Sequence, residues 1–364
     1  MRGLRGIRSF RTVVFLCFFI SGLAGLVLEV VWARMLGVTF GNTVFAAGTV
    51  LSAFMLGLAL GSAWFGRLVD RFEKPFMLYG LLEIGIGIYA LLFPLLAWLV
   101  TLIYQWFFRA FDPGFFLLSA VRFIFSLLLI VPPATLMGGT LPVLSRFLGT
   151  KDEEPRREIG YLYAMNTTGA VAGCFLAGFY FLEWFGVRGS LYVAGGFALT
   201  VGALAYGFGR QVKEYTPALT ADVVSTPKAE KKRRSKKREK KKTSPPAPQP
   251  ALTEQYNEQT FRLVLIVFGI AGFCSLAYEV LWTRMLIFVM STSLYAFSTM
   301  LTVFLSGIAL GSYFCSRFFV HRVRSPLFWF GAIEILVGLA ALFSSYVLSK
   351  PVTINSAVIK QWAP

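Results

Sequence analysis

The sequence predicts an all-α polytopic membrane protein: a parallel internal repeat of a six-helix unit, with the second unit incomplete. Three observations carry this. Glu29-Val30-Val31-Trp32-Ala33-Arg34-Met35-Leu36 returns 250 residues later as Glu279-Val280-Leu281-Trp282-Thr283-Arg284-Met285-Leu286. Hydrophobic residues make up 56% of the 364 and charged residues only 15%, too few to cover a water-soluble surface. Apolar runs of more than about 18 residues recur, each long enough to cross roughly 30 Å of hydrocarbon. A duplication of this size is settled before any local feature is read.

The segments follow in order as 12–36, 43–66, 76–98, 115–145, 159–182 and 189–208, then 261–287, 293–316 and 326–348. Span 1 follows a basic start and could be mistaken for a cleaved leader ending near Gly22-Leu23-Ala24-Gly25. Its recurrence at 271–286, where no cleavage signal could act, makes it a structural helix. Span 2 carries Gly57-Leu58-Ala59-Leu60-Gly61-Ser62, answered by Gly307-Ile308-Ala309-Leu310-Gly311-Ser312. Glycines four apart let helix backbones approach closely in lipid. Span 3 repeats with one extra residue, Pro75, Gly80, Glu83 and Gly87 becoming Pro326, Gly331, Glu334 and Gly338. Span 4 holds Pro132-Pro133 and then Gly138-Gly139-Thr140-Leu141-Pro142, which predicts a kinked or broken helix. Its second part, Ala134 to Leu148, is only about 22 Å long and makes no crossing of its own.

The chain thus divides into a first repeat of six helices (1–208), a basic linker (209–260), the first three helices of a second repeat (261–348) and a tail (349–364). Counterparts of spans 4 to 6 are missing from the second copy, so the chain reads as cut short relative to its own repeat. The linker, rich in Lys, Pro, Ser and Ala, is expected to be disordered.

Lysines and arginines set the sides. They crowd the N-terminus (Arg2, Arg5, Arg8, Arg11), the loop after span 2 (Arg67, Arg71, Lys74) and the loop after span 4 (Arg146, Lys151, Arg156, Arg157). Arg317, Arg322 and Arg324 repeat the pattern, while the alternate loops are nearly bare. The expected protein sits in the plasma (inner) membrane, with N-terminus and linker cytoplasmic and C-terminus outside after nine spans.

Much of the net charge of +17 comes from Lys228–Lys242, with eleven basic and two acidic residues. Tethered to a membrane and without interleaved aromatics, this run is expected to meet anionic inner-leaflet lipid or to be a solvated linker, and no nucleic-acid partner is expected. Cys17, Cys174, Cys274 and Cys315 lie in apolar segments without metal or disulfide spacing, and His321 is the only histidine. No metal site or His-based catalysis is expected.

The costly residues are the intramembrane carboxylates Glu29, Glu83, Glu279 and Glu334. Such groups need a partner, a proton or a water-filled cavity. Either pairing between helices or a cation or proton site accounts for them. Arg34 lies about 140° around the helix from Glu29, so the two are not an intrahelical pair, and Arg34 and Arg284 can snorkel toward an interface.

Gly66-Arg67-Leu68-Val69-Asp70-Arg71-Phe72-Glu73-Lys74 resembles the cytoplasmic loop signature of major-facilitator transporters, with Glu73 in place of that family's second glycine. The resemblance implies a conformation-holding role for Asp70 and Arg71. The second copy has lost the acidic residue.

Four motifs together resemble the membrane part of the fused major-facilitator/spermidine-synthase family. They are Leu28–Leu36 with its repeat Tyr278–Leu286, the paired glycine segments, Pro132–Pro142, and Tyr163-Ala164-Met165-Asn166-Thr167-Thr168-Gly169-Ala170. The resemblance implies a membrane moiety in polyamine metabolism, anchoring or feeding a cytoplasmic aminopropyltransferase domain whose co-substrate is decarboxylated S-adenosylmethionine. That domain's glycine-rich loop and catalytic aspartate have no counterpart here, so no catalytic residue and no cofactor is assigned within the 364 residues. Two further expectations stand beside it: a major-facilitator-like transporter of a cationic solute such as a polyamine, and a membrane scaffold without a solute path.

Overall fold

A segment immersed in hydrocarbon must satisfy every backbone N–H and C=O internally, and helices do this within one crossing. The computed structural model describes residues 2–40, 44–111, 114–148, 155–211, 258–315, 317 and 325–362, and among them no strand occurs. The helices are α1 (Arg2–Phe40), α2 (Val44–Leu68), α3 (Pro75–Phe111), α4 (Phe115–Leu148), α5 (Pro155–Leu176), α6 (Gly186–Gln211), α7 (Glu258–Met290), α8 (Ser293–Phe314) and α9 (Pro326–Trp362). Nine helices among the described residues are long and apolar enough to span a bilayer.

Pro75 and Pro326, equivalent in the repeat, both open a helix, where the missing N–H costs nothing. A 3₁₀ turn, Val69–Arg71, follows α2. α5 passes into a π-helical segment, Ala177–Phe181, and a last turn, Leu182–Trp184. Gly186, at φ 64°, takes the left-handed conformation that starts α6. α9 runs on past Leu348 to Trp362, so the stretch expected as a tail continues the last span as helix through Lys350 and Pro351. The basic run Lys228–Lys242 lies outside the described residues.

Met1–Glu214 and Leu276–Pro364 form one compact unit, and Tyr215–Ser275 forms another. Within the first unit α2 packs on α4, α3 on α6 and α4, α1 on α5 and α6, and α8 on α5. Two apolar clusters fill it, one around Trp32, Phe54, Phe93 and Ile130, the other around Phe18, Phe76, Tyr79 and Phe147. Trp32 stacks on Phe93 at 5.1 Å, and Phe76 on Phe147 at 5.2 Å.

Of the kink or break expected in span 4, the break does not occur: α4 is continuous from Phe115 to Leu148 with Pro132, Pro133 and Pro142 inside it. Proline removes the bond that would serve the carbonyl four residues earlier. For Pro133 that carbonyl belongs to Leu129, and Tyr89 on α3 donates its hydroxyl to it at 2.8 Å. The neighbouring helix thus replaces one of the bonds the prolines remove. Thr135 adds a hydroxyl bond of 2.7 Å to Val131 O.

Candidate functional site

The repeat brings its own equivalents together. Glu29 on α1 is 4% exposed and Glu279 on α7 is 2% exposed. They come from positions 250 residues apart, yet their side chains lie within electrostatic reach of one another. Cys174 on α5 senses both carboxylates and faces Thr302 on α8. Its thiol contacts the Ser298 carbonyl at 3.5 Å. Three helices pack together here, α1 and α5 of the first repeat and α8 of the second, and Glu279 of α7 lies within electrostatic reach of Glu29 and Cys174.

The local sequence explains the convergence. Gly178, in the π segment, lies so close to Ser298 that a side chain there would collide with it. Phe179 stacks on Tyr295 at 5.4 Å, fixing α5 to α8 one turn away. The small residues Gly169 and Gly173 sit against the backbone of Phe19 and Leu23, drawing α1 onto α5. Polar groups around the site stay unanswered. The Oε1 atom of Glu279, the hydroxyls of Ser298 and Thr299, and the indole N–H groups of Trp32 and Trp282 are buried without a hydrogen-bond partner among the described residues. Trp32 and Trp282 are again repeat equivalents, each three residues after its glutamate and hence one turn away on the same side of the helix.

The other residues singled out in the sequence separate from this centre. Arg34 and Arg284 are exposed, and neither forms an ion pair among the described residues. Glu83, 1% exposed, belongs to a different cluster, where Ser21 and Tyr79 hydrogen-bond to it. Ser21 precedes Glu29 by eight residues, about 12 Å of helix axis at 1.5 Å per residue. Glu334 is half-buried on α9 and makes no hydrogen bond or ion pair among the described residues. Asp70 pairs with Arg146 at the end of α4 at 3.3 Å, while Arg71 is exposed. The residues missed from sequence are Ser21, Tyr79, Cys174, Ser298 and Thr302. Their only signal was a hydroxyl or thiol within an apolar helix, a pattern shared by many groups that merely bond back to their own backbone.

A family model described as Major Facilitator Superfamily matches residues 14–360. The chain belongs to that superfamily. No curated protein and no solved structure matches. The family match agrees with the repeat and the loop signature, and it brings no support for a spermidine-synthase fusion.

Proposed function

We propose that this superfamily member is a transporter of a cationic solute such as a polyamine, bound between the two repeats at Glu29 and Glu279. The observation that carries this reading is two repeat-equivalent carboxylates, buried together with no lysine or arginine paired to either among the described residues. An unpartnered buried carboxylate costs several kcal/mol, which a bound ammonium would offset through charge-assisted hydrogen bonds. One glutamate from each half lets a solute hold both repeats at once.

Uptake of radiolabelled spermidine into proteoliposomes tests it. Glu29→Gln and Glu279→Gln are each expected to cut uptake about tenfold or more, the loss of a charge-assisted bond of about 1.5 kcal/mol or above. Uptake indifferent to both changes rejects the site, and no uptake by the unaltered protein rejects the transporter reading in favour of a scaffold.

The aminopropyltransferase association is a second, finer reading that rests on the shared motifs alone. Copurification of aminopropyl-transfer activity with the tagged protein tests it, and its absence from active membranes removes that support.

The charge distribution supports an inner-membrane protein with the N-terminus and residue 236 cytoplasmic and residue 360 outside. In a cysteine-free background, Lys360→Cys should react with an impermeant thiol reagent on intact cells and Lys236→Cys should not. The reverse result overturns this arrangement.

A further inference from the structure

We infer that Glu83, Ser21 and Tyr79 form a proton-binding site, separate from the Glu29–Glu279 pair, that couples solute movement to a proton. The inference rests on the transporter reading for its coupling, though not for its proton chemistry.

The geometry is specific. Ser21 on α1 donates its hydroxyl to Oε1 of Glu83 on α3. Tyr79, one turn before Glu83, also hydrogen-bonds to it, and its hydroxyl reaches the Cys17 carbonyl at 3.3 Å. The groups facing Glu83 are few. α1 supplies Ser21 and the Cys17 thiol, and α3 supplies Tyr79. α6 meets this stretch through the backbone of Gly202 and Tyr206 against Gly80, and α4 through Leu136 against Gly85. No lysine or arginine pairs with Glu83 among the described residues.

Counting hydrogens shows why this arrangement suits a proton that comes and goes. With Glu83 ionised, Ser21 and Tyr79 each donate to one carboxylate oxygen. When a proton adds to Glu83, an O–H bond forms on the carboxyl and that O–H donates to the Tyr79 oxygen. The Tyr79 hydrogen then turns to the Cys17 carbonyl, while Ser21 keeps its bond. Both states are hydrogen-bonded throughout, and one hydroxyl rotation separates them. A carboxyl serving only to tie α1 to α3 has no use for a tyrosine placed between two acceptors.

The second repeat is the internal control. It keeps the carboxylate as Glu334 but has Ala271 where the first has Ser21, and Phe330 where the first has Tyr79. Both hydroxyls are gone from the copy whose carboxylate stands alone. The cluster is thus a feature of one half, unlike the Glu29–Glu279 centre, which both halves build.

Glu83→Gln keeps the shape and holds the hydrogen bonds of the protonated state, its amide oxygen accepting from Ser21 and its amide nitrogen donating to the Tyr79 oxygen, so it removes only the exchangeable proton. Infrared spectra of the unaltered protein in lipid should show a neutral-carboxyl band that titrates with pH and is missing from the Gln variant. Proteoliposomes of that variant should retain spermidine exchange at equal concentrations on both sides but lose accumulation driven by a pH gradient. Ser21→Ala with Tyr79→Phe, which gives the first repeat the second's residues, should move the titration midpoint by about one pH unit or more. A neutral-carboxyl band that does not change with pH overturns the proton site. Undiminished gradient-driven accumulation by Glu83→Gln overturns the coupling. If the unaltered protein moves no spermidine, the transporter reading fails and the spectrum alone decides the proton site.

Discussion

Gly57 and Gly61 on α2 and Gly307 and Gly311 on α8 are the same motif in two settings. In the first repeat α4 fills the glycine face: a side chain at Gly57 would meet Ala134, and one at Gly61 would meet the Thr135 carbonyl. In the second repeat a side chain added at either glycine would meet nothing within 4 Å from any other helix among the described residues. Span 3 tells the same story. Gly80 and Gly87 press against Gly202, Tyr206 and Leu199 of α6, whereas a side chain added at Gly331 or Gly338 would meet open space among the described residues. A close-packing motif therefore specifies a face and leaves its partner to the rest of the chain.

The largest effect that could break this contrast comes from filling one glycine in each copy. Gly61→Leu should drive a side chain into the α4 backbone and abolish recovery of folded protein, since overpacking against rigid backbone costs about 3 kcal/mol or more. Gly311→Leu should leave thermal unfolding in detergent nearly unchanged, within about 0.5 kcal/mol. Equal sensitivity of the two would show that the second face is also packed.

Next in size is the one place where the copies act together. If Glu29 and Glu279 serve a single site, the double Gln variant should transport within about twofold of the weaker single variant, because residues acting as a unit are not additive. Multiplied losses would separate them into two sites.

The smallest effect concerns a bond that only the first repeat can make. Tyr89→Phe leaves the Leu129 carbonyl without its donor and should lower stability by about 1 kcal/mol. The equivalent position in the second copy is Ala340, which has no hydroxyl to lose. An unchanged melting temperature for Tyr89→Phe would mean that α4 tolerates Pro133 without help.

The spans, their repeat and the glycine faces were legible because each is written in one stretch of sequence: apolar length, offset and spacing. The continuity of α4 was not, because the proline rule counts the bond lost at Leu129 and cannot see Tyr89, 40 residues earlier, replacing it. The carboxylates were legible as costly groups, but not their grouping. Glu29 and Glu279 share a centre while Glu83 pairs with Ser21, a partner 62 residues away, and periodicity carries no information about such distances. Asp70 was legible as part of a loop signature, and its partner Arg146 read only as one more topogenic charge.

The π segment at Ala177–Phe181 has a consequence for how α5 is read along its length. A π turn takes in one residue more than an α turn, so everything beyond it is rotated by about 100° from the phase set by the preceding α-helical turns. Phe181 and Leu182 owe their place against the core to that rotation, while Trp184 and Phe185 are exposed. Deleting one residue between 177 and 181 would restore the α pitch and swing the apolar end of the helix away from its neighbours. An insertion or deletion in this stretch is therefore a change of phase, felt a full turn away on the far side, where the same change in a loop would be absorbed on the spot.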